Sequence, residues 1–365
     1  MGSVYGNLLK VSIFGESHGT GIGVVIDGFP AGVSVDYDFI SKEMMRRAPS
    51  AHIGSTPRKE SDIPQILSGV KDGYTTGAPI CATIQNTNTK SEDYAPFAEM
   101  PRPGHADFTA SIRYHGYQDA RGGGHFSGRL TAPLTFAGAL CKLVLKQKGI
   151  EVCGHIMQIG HLFDDLFSLN PTAEQLSDLQ NKQFPVINET VSTQMLDLLE
   201  ETRQKQDSIG GTIECIATGV PAGVGSPMFD TVESRISSLL FAIPAVRGVS
   251  FGAGFDAAGM LGSTANDAFY YENDVVKTTS NHHGGALGGI TTGMPILLRC
   301  ALKPTPSITQ RQSTVNLTTG KNAEIEIHGR HDACIVCRAV PVVEAAVAIS
   351  LLDQLLEAYG YGNFR

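Results

Sequence analysis

No stretch of this 365-residue chain approaches the roughly 20 uninterrupted apolar residues that a bilayer-spanning helix needs. Its start, from Met1 to Lys10, also lacks a charged segment followed by an apolar one, so neither membrane insertion nor export is expected. Cysteines are few and odd in number, seven in all: Cys81, Cys141, Cys153, Cys215, Cys300, Cys334 and Cys337. They are scattered and mostly set among apolar neighbours, as buried reduced thiols are, which points to the cytoplasm. Cys334 and Cys337 form a C-x-x-C without a second pair at zinc-site spacing, so no metal is assigned there. A surplus of basic charge is missing too. At a formal charge of -8 the chain offers no sustained basic surface for nucleic acid, and any anionic ligand must be held by local arginines. There is no long Pro/Ser/Gly-rich linker and no regular βαβ rhythm, which fits a doubly wound parallel fold less well than a mixed one and favours one domain over residues 1–365.

Glycine, by contrast, is abundant: 41 residues, clustered in runs such as Gly122-Gly123-Gly124, Gly284-Gly285 and Gly288-Gly289. Such loops let backbone approach a ligand or take positive φ. Short β-like runs at 11–14, 23–26, 80–85, 211–217, 295–301 and 323–327 alternate irregularly with helical patterns. Apolar residues from Leu130 to Leu145 recur at helical spacing, with Gly149 placed to end the helix. Thr172 with Gln175 makes a capping-box pattern, and Val343, Val347, Leu351 and Leu355 form the stripe of a last helix ending near Gly360. A mixed α/β (α+β) sandwich fits this mixture, with residues 170–207 as a peripheral helical insertion.

Two histidines stand in short loops of small and charged residues: His18 in Gly15-Glu16-Ser17-His18-Gly19, and His105 in Arg102-Pro103-Gly104-His105-Ala106-Asp107. Histidine is the usual acid or base near neutral pH, although either one alone also reads as a turn histidine. Arginines recur nearby, at Arg46, Arg47, Arg58, Arg102, Arg121, Arg129, Arg330 and Arg338. Their paired donors suit phosphate and carboxylate, while Arg46-Arg47 in isolation reads as the solvated end of a helix. Gly122-Gly123-Gly124-His125-Phe126-Ser127 leads into a helix, so its N–H groups can face an anion, or Ser127 can simply cap that helix. Asn281-His282-His283-Gly284-Gly285-Ala286-Leu287-Gly288-Gly289 and Lys303-Pro304-Thr305-Pro306-Ser307 join small residues to polar ones around an expected strand. Adjacent histidines point opposite ways on extended chain, which argues against metal at His282-His283. Gly329-Arg330-His331-Asp332 gathers a cation, an imidazole and a carboxylate in one turn, which a salt bridge alone would also explain. Gly252-Ala253-Gly254-Phe255-Asp256-Ala257 matches a loose dinucleotide fingerprint but lacks a following helix.

In this order, and over nearly the whole chain, these segments resemble chorismate synthase. The resemblance implies a β-α-β sandwich of two related halves, usually a homotetramer, with one FMN and one 5-enolpyruvylshikimate 3-phosphate per subunit. Reduced FMN lends the substrate an electron, phosphate leaves C3 and the C6 hydrogen is lost, so the step is a lyase reaction without net redox. By the same resemblance His18 protonates the reduced flavin or stabilises its charge, His105 lies near the leaving phosphate, and Asp332 helps remove the C6 proton. Ser17 and Ser127 support that transfer. Arg46, Arg47, Arg102, Arg129 and Arg338 match residues for substrate anions or for a nicotinamide nucleotide. Gly288, Lys303, Pro304, Thr305, Pro306, Ser307 and Arg330 match FMN positions, as do His125, Phe126, Pro244 and Ala245. At these last four the chain departs from the family pattern, except that Ala245 keeps the usual alanine. Ala333 likewise stands where proline is usual. Reduced flavin is expected from a separate flavin reductase or from NADPH. Two other readings stay open: a nicotinamide-dependent oxidoreductase using Gly252–Ala257, and a flavin- or phosphate-binding protein without catalysis.

Overall fold

Short apolar runs build two antiparallel sheets, and two helices that are apolar on nearly every side fill the space between them. The computed structural model describes residues 2–49, 62–87, 99–327 and 332–364. In the first half, β1 (Val4–Tyr5), β2 (Lys10–Gly15), β3 (Gly21–Asp27), β4 (Gln65–Ser68) and β7 (Ile80–Gln85) pair in the order β1-β2-β3-β7-β4. A small ribbon, β5 (Val70–Lys71) with β6 (Tyr74–Thr75), lies between β4 and β7 in the chain. The helices here are α1 (Tyr37–Arg47), α2 (Asp107–Tyr114) and α3 (Thr131–Gln147). In the second half, β8 (Glu151–Ile159), β9 (Leu162–Phe163), β10 (Gly211–Thr218), β11 (Val246–Phe251) and β16 (Ile296–Leu302) pair as β11-β16-β10-β8-β9. Three ribbons accompany them: β12 (Phe269–Glu272) with β13 (Val275–Thr278), β14 (Ala286–Leu287) with β15 (Ile290–Thr291), and β17 (Gln312–Asn316) with β18 (Lys321–Ile325). Its helices are α4 (Ala173–Asn181), α5 (Glu189–Gln204), α6 (Val232–Leu240), α7 (Gly262–Ala265) and α8 (Val336–Tyr359).

The two halves repeat one plan. Strand, strand, helix, strand, strand, helix is met as β2, β3, α1, β4, β7, α3 and again as β8, β10, α6, β11, β16, α8. In both sheets the four strands stand in the order first, second, fourth, third. The turn leading toward the first helix is repeated in sequence as well, as Pro30-Ala31-Gly32-Val33 and Pro221-Ala222-Gly223-Val224. Val33 N donates to Thr75 Oγ1 at 2.9 Å, and that hydroxyl donates to Pro30 O at 2.6 Å. Val224 N donates to Thr291 Oγ1 at 2.9 Å, and that hydroxyl to Pro221 O at 2.6 Å. This tetrapeptide is the sequence signal of the repeat, and composition and periodicity pass over it.

Helix α3 packs on β2, β3 and β7, α8 packs on β8 and β10, and the two helices pack on each other, giving sheet, helices, sheet. From Val336 to Leu356 every residue of α8 except Arg338 is buried. The expected stripe was therefore too narrow: α8 meets a sheet on one side and helices on others, so it is apolar all round. That same composition makes Val336–Tyr359 long and apolar enough to cross a membrane, yet here it is the buried centre of the fold. The capping box at Thr172 and Gln175 forms, with Gln175 N donating to Thr172 Oγ1 and Thr172 N to Gln175 Oε1. Leu176 and Leu179 of that helix pack on Cys153 and Ile216, so part of the 170–207 segment covers the outer face of the second sheet.

Candidate active site

The connection from β7 to α3 carries Gly122, Gly123 and Gly124, at φ of 61°, 87° and 53°. A Cβ on Gly122 would lie 2.1 Å from the His18 ring, and one on Gly123 3.0 Å from the His105 ring. Glycine is what allows this backbone to lie against both imidazoles. The His18 loop, between β2 and β3, is tied to the same glycines: Ser17 N donates to Gly124 O at 3.2 Å and Ser17 Oγ to Arg121 O at 3.2 Å. Ser17 Oγ also stands 3.1 Å from His18 Nδ1, and both residues are buried. Histidines 87 positions apart in the chain thus share one glycine wall.

His105 Nδ1 is 2.6 Å from Asp107 Oδ1, and Arg102 reaches the same carboxylate through Nε at 2.7 Å and Nη2 at 2.8 Å. Burial alone would raise the Asp107 carboxyl, but hydrogen bonds from Arg102 and His105 hold it well below the usual carboxylate range. Arg102 Nη1 is 3.4 Å from Ser307 Oγ, and Lys303 Nζ donates to Gly104 O, which lays the Lys303-Pro304-Thr305-Pro306-Ser307 stretch along the His105 loop. Lys303 N donates to Ala245 O at 2.9 Å, so Pro244-Ala245 borders this stretch too. Desolvation and the nearby Arg247 lower the Lys303 ammonium below its ordinary value. Arg247 was not singled out in the sequence, where a lone arginine on a strand carries no signal.

Beyond the histidines lies a set of arginines already matched to carboxylates. Asp62 takes Arg47 on one oxygen and Arg129 on the other. Burial would raise the Asp62 carboxyl, and the two guanidiniums lower it. Arg47 also donates to Gly128 O and Thr131 Oγ1, both at 3.2 Å, fixing the end of α1 to the start of α3. Arg338 Nη1 is 2.5 Å from Asp332 Oδ2, and its Nε donates to Arg47 O at 3.2 Å. Asn86 joins this network to the His18 loop: Nδ2 donates to Glu16 O at 2.9 Å and Gly19 O at 3.0 Å, while Oδ1 accepts from Arg129 Nε at 3.1 Å. Sequence reading missed Asn86 and Asp62, whose only mark is a polar residue at the edge of a strand or loop.

Other expected site residues have different surroundings, although Phe126 lines a cleft with Asp107 and Gly123. Arg46 points into a buried ion cluster, pairing with Glu43 at 2.7 Å and Glu344 at 2.6 Å, and Lys142 closes it. One residue along a helix turns the side chain by about 100°, so Arg47 reaches the site network and Arg46 the core. That corrects the pairing of Arg46 with Arg47. Both ring nitrogens of His125 are engaged, Nδ1 with Gly15 O at 2.9 Å and Nε2 with Ser3 Oγ at 3.2 Å, so its imidazole is spent on the strands beside it. Phe126 remains partly exposed, its ring 6.3 Å from that of Tyr114. Ser127 Oγ accepts from Arg129 N at 3.2 Å, which is the capping role. Gly288 is at the tip of the β14–β15 hairpin, with nothing within 4 Å of a Cβ placed on it. Arg330, with Gly329 and His331, lies outside the described residues. Gly252 and Gly254 lead from β11 into a short 3₁₀ turn and not an α-helix, which removes the basis for a dinucleotide loop.

A sequence model of the family described as chorismate synthase matches residues 9–356. A chorismate synthase of Dehalococcoides mccartyi is 46% identical over 358 residues, covering 98% of both chains. One of Thermococcus gammatolerans is 46% identical over 351 residues, covering 96% of this chain and 97% of its own. A solved crystal structure of chorismate synthase superposes with a TM-score of 0.76 at 29% identity, covering 97% of this chain and 94% of that one. With the fold, the length and the sequence all matched from end to end, the chain belongs to the chorismate synthase family, lyases of aromatic amino acid biosynthesis.

Proposed function

We propose that the chain makes chorismate by anti-1,4-elimination of phosphate from 5-enolpyruvylshikimate 3-phosphate, with reduced FMN, as one domain in the cytoplasm. The observation that carries this reading is the glycine wall on which Ser17, His18 and His105 meet. Reduced FMN, when bound, would supply transient electron donation to the substrate with no net redox. The residues fit such a group. Lys303 and Arg247 set two cations near each other, and Thr305 buries a hydroxyl oxygen with no hydrogen-bond partner among the described residues, the kind of atom a bound phosphate or ring edge satisfies. Lys303 to Ser307, Pro244, Ala245, Phe126, Ser127, Gly288 and Arg330 are the FMN residues in this proposal.

His105 presents Nε2 to the leaving phosphate and, when both ring nitrogens carry protons, gives it a hydrogen bond. His18 balances negative charge on the other side of the glycine wall, with Ser17 fixing its ring. Asp332, held by Arg338, accepts the proton lost from C6. Arg47, Arg102, Arg129 and Arg338 exchange part of their internal carboxylate contacts for the substrate's phosphate and carboxylates or for NADPH, as surplus positive charge drawn from a paired network. Self-association into a homotetramer is supported by apolar side chains exposed on the second half, such as Phe229 at 85% and Phe255 at 88%. Reduced FMN is supplied by a flavin reductase or from NADPH. Anaerobic mixing of protein, reduced FMN and substrate should give chorismate and phosphate over many turnovers while the flavin stays reduced. Oxidation of one flavin per chorismate would overturn the lyase step.

A further inference from the structure

We propose that Asp107 is a positioning residue that decides which nitrogen of His105 carries the proton, a proposal that rests on the role of His105 given above. Asp107 opens α2, and its carboxylate accepts from Arg102 N at 3.0 Å besides the Nε and Nη2 contacts of the same arginine. Its remaining neighbour is His105 Nδ1, at 2.6 Å. Arg102 Nη2 also stands 3.0 Å from that nitrogen, and the two contacts ask for opposite things. If Nδ1 accepted from Arg102 it would turn a lone pair toward a carboxylate oxygen at 2.6 Å, which is repulsive. The short distance and the opposite charge favour Nδ1–H donating to Asp107, as charge-assisted bonds are the shorter and stronger ones. Nε2 is then the nitrogen left for a ligand. It lies on the Gly123 side, where a Cβ would stand 3.1 Å away, and its 3.4 Å contact with Arg102 Nη2 is the longest of the group.

The i to i+2 spacing of His105 and Asp107 makes this arrangement local to one turn, so it forms with the loop itself. Arg102 holds the carboxylate in plane from the other side, which gives it a supporting part whether or not it meets substrate. A purely structural alternative assigns Asp107 only to Arg102 and the start of α2, where a carboxylate is also favourable.

Asp107→Asn separates the two. Arg102's donors claim the amide oxygen, so the amide NH₂ turns toward Nδ1 and forces the proton onto Nε2. Nitrogen-15 spectra of imidazole-labelled protein without flavin or substrate, with His105 assigned by its loss in His105→Ala, should show Nδ1–H in the native chain and Nε2–H in Asp107→Asn. Turnover should fall roughly 10–100-fold in Asp107→Asn with little change in KM, the usual worth of a group that orients a functional histidine. In a His105→Ala background the same substitution should cost nothing further. An Nε2–H tautomer in the native protein would overturn the proposal, as would an equal loss with and without the imidazole. Absence of chorismate from the native protein would instead defeat the functional reading, while the nitrogen spectrum still judges this one. Should Asp107→Asn not fold, the native spectrum alone decides.

Discussion

The two halves share strand order, helix placement and a four-residue turn, yet they spend their connections differently. In the first half the link from first to second strand is the short 16–20 loop that carries Ser17 and His18. In the second the same link runs from 160 to 210 and holds α4 and α5, with no expected site residue. The link from the fourth strand to the long helix carries expected site residues in both: 86–130 brings Arg102, His105 and the glycine wall, and 303–335 brings Lys303, Ser307 and Asp332. These two stretches touch, through Arg102 with Ser307 and Lys303 with Gly104. The repeat therefore supplies a scaffold with equivalent ends, and function is set by which loops are long, which is how one architecture comes to bear a specific site.

The largest effects should follow from the loops of the first half. His18→Ala and His105→Ala are each expected to lower turnover by about 10²–10⁴, the usual worth of a positioned acid or base. Thermal unfolding should stay near native, because neither ring is part of the apolar core. Turnover within a few-fold of native for either variant, measured with reduced FMN under anaerobic conditions, would return that histidine to a turn role.

The outer face of the second half offers the opposite test. His155 lies fully buried between Asp164 at 3.0 Å and Glu214 at 3.2 Å, and Asp164 also accepts from the backbone of Ile187 and Asn188 just before α5. Burial would lower the imidazole from its ordinary 6.5, but the hydrogen bonds it donates to both carboxylates raise it; burial would raise both carboxyls, but the hydrogen bonds they accept from the imidazole and from backbone N–H groups hold them below their ordinary values. A raised imidazole stabilises fully below 6.5 and loses that contribution as pH rises through its folded value. Depressed carboxyls stabilise above their ordinary values and lose theirs as pH falls through the depressed ones. The clamp is thus strongest between the two. His155→Gln leaves buried Asp164 without a cation, while Glu214 keeps Arg299 at 3.1 Å, and should cost about 3–5 kcal/mol in chemical denaturation. Turnover per folded molecule should be unchanged at low temperature. A matching fall in turnover would show that this face reaches the site and would break the contrast between the halves.

Much of this was legible in the sequence, and unevenly so. Gly15–Gly19, Arg102–Asp107 and the triple glycine could be read because their pattern is local: each motif holds its distinctive residues within a few positions. The strand at 80–85 and the helix after Leu130 were equally plain from periodicity. What could not be read was long-range pairing. Arg46 and Arg47 are neighbours in sequence, and only packing of α1 against α3 and α8 sends one to the core and the other to Asp62. His125 looked like a flavin contact because of where it stands in a motif, whereas its ring is claimed by Ser3, more than a hundred residues away. Strand β8 was missed because it is buried over most of its length and shows no clean alternation.

The smallest expected effect tests the repeat itself. Thr75 and Thr291 are both buried at 3% exposure, and each hydroxyl accepts from a valine N–H and donates to a proline carbonyl at the same pair of distances. Replacing either by valine keeps the shape but removes the partner of a valine N–H and of a proline carbonyl, a loss of about 1–3 kcal/mol. If the repeat is energetic as well as topological, Thr75→Val and Thr291→Val should cost the same within roughly 0.5 kcal/mol, and the double variant their sum, since the two turns share no hydrogen-bond partner. Denaturant unfolding of all four proteins gives the comparison directly. A clearly larger cost for Thr75→Val would place more of the stability in the half that carries the histidines. A double variant no less stable than the weaker single would mean that one turn frays whenever the other is broken, so the halves would be unfolding as a coupled pair through α3 and α8 and not as independent copies of one plan.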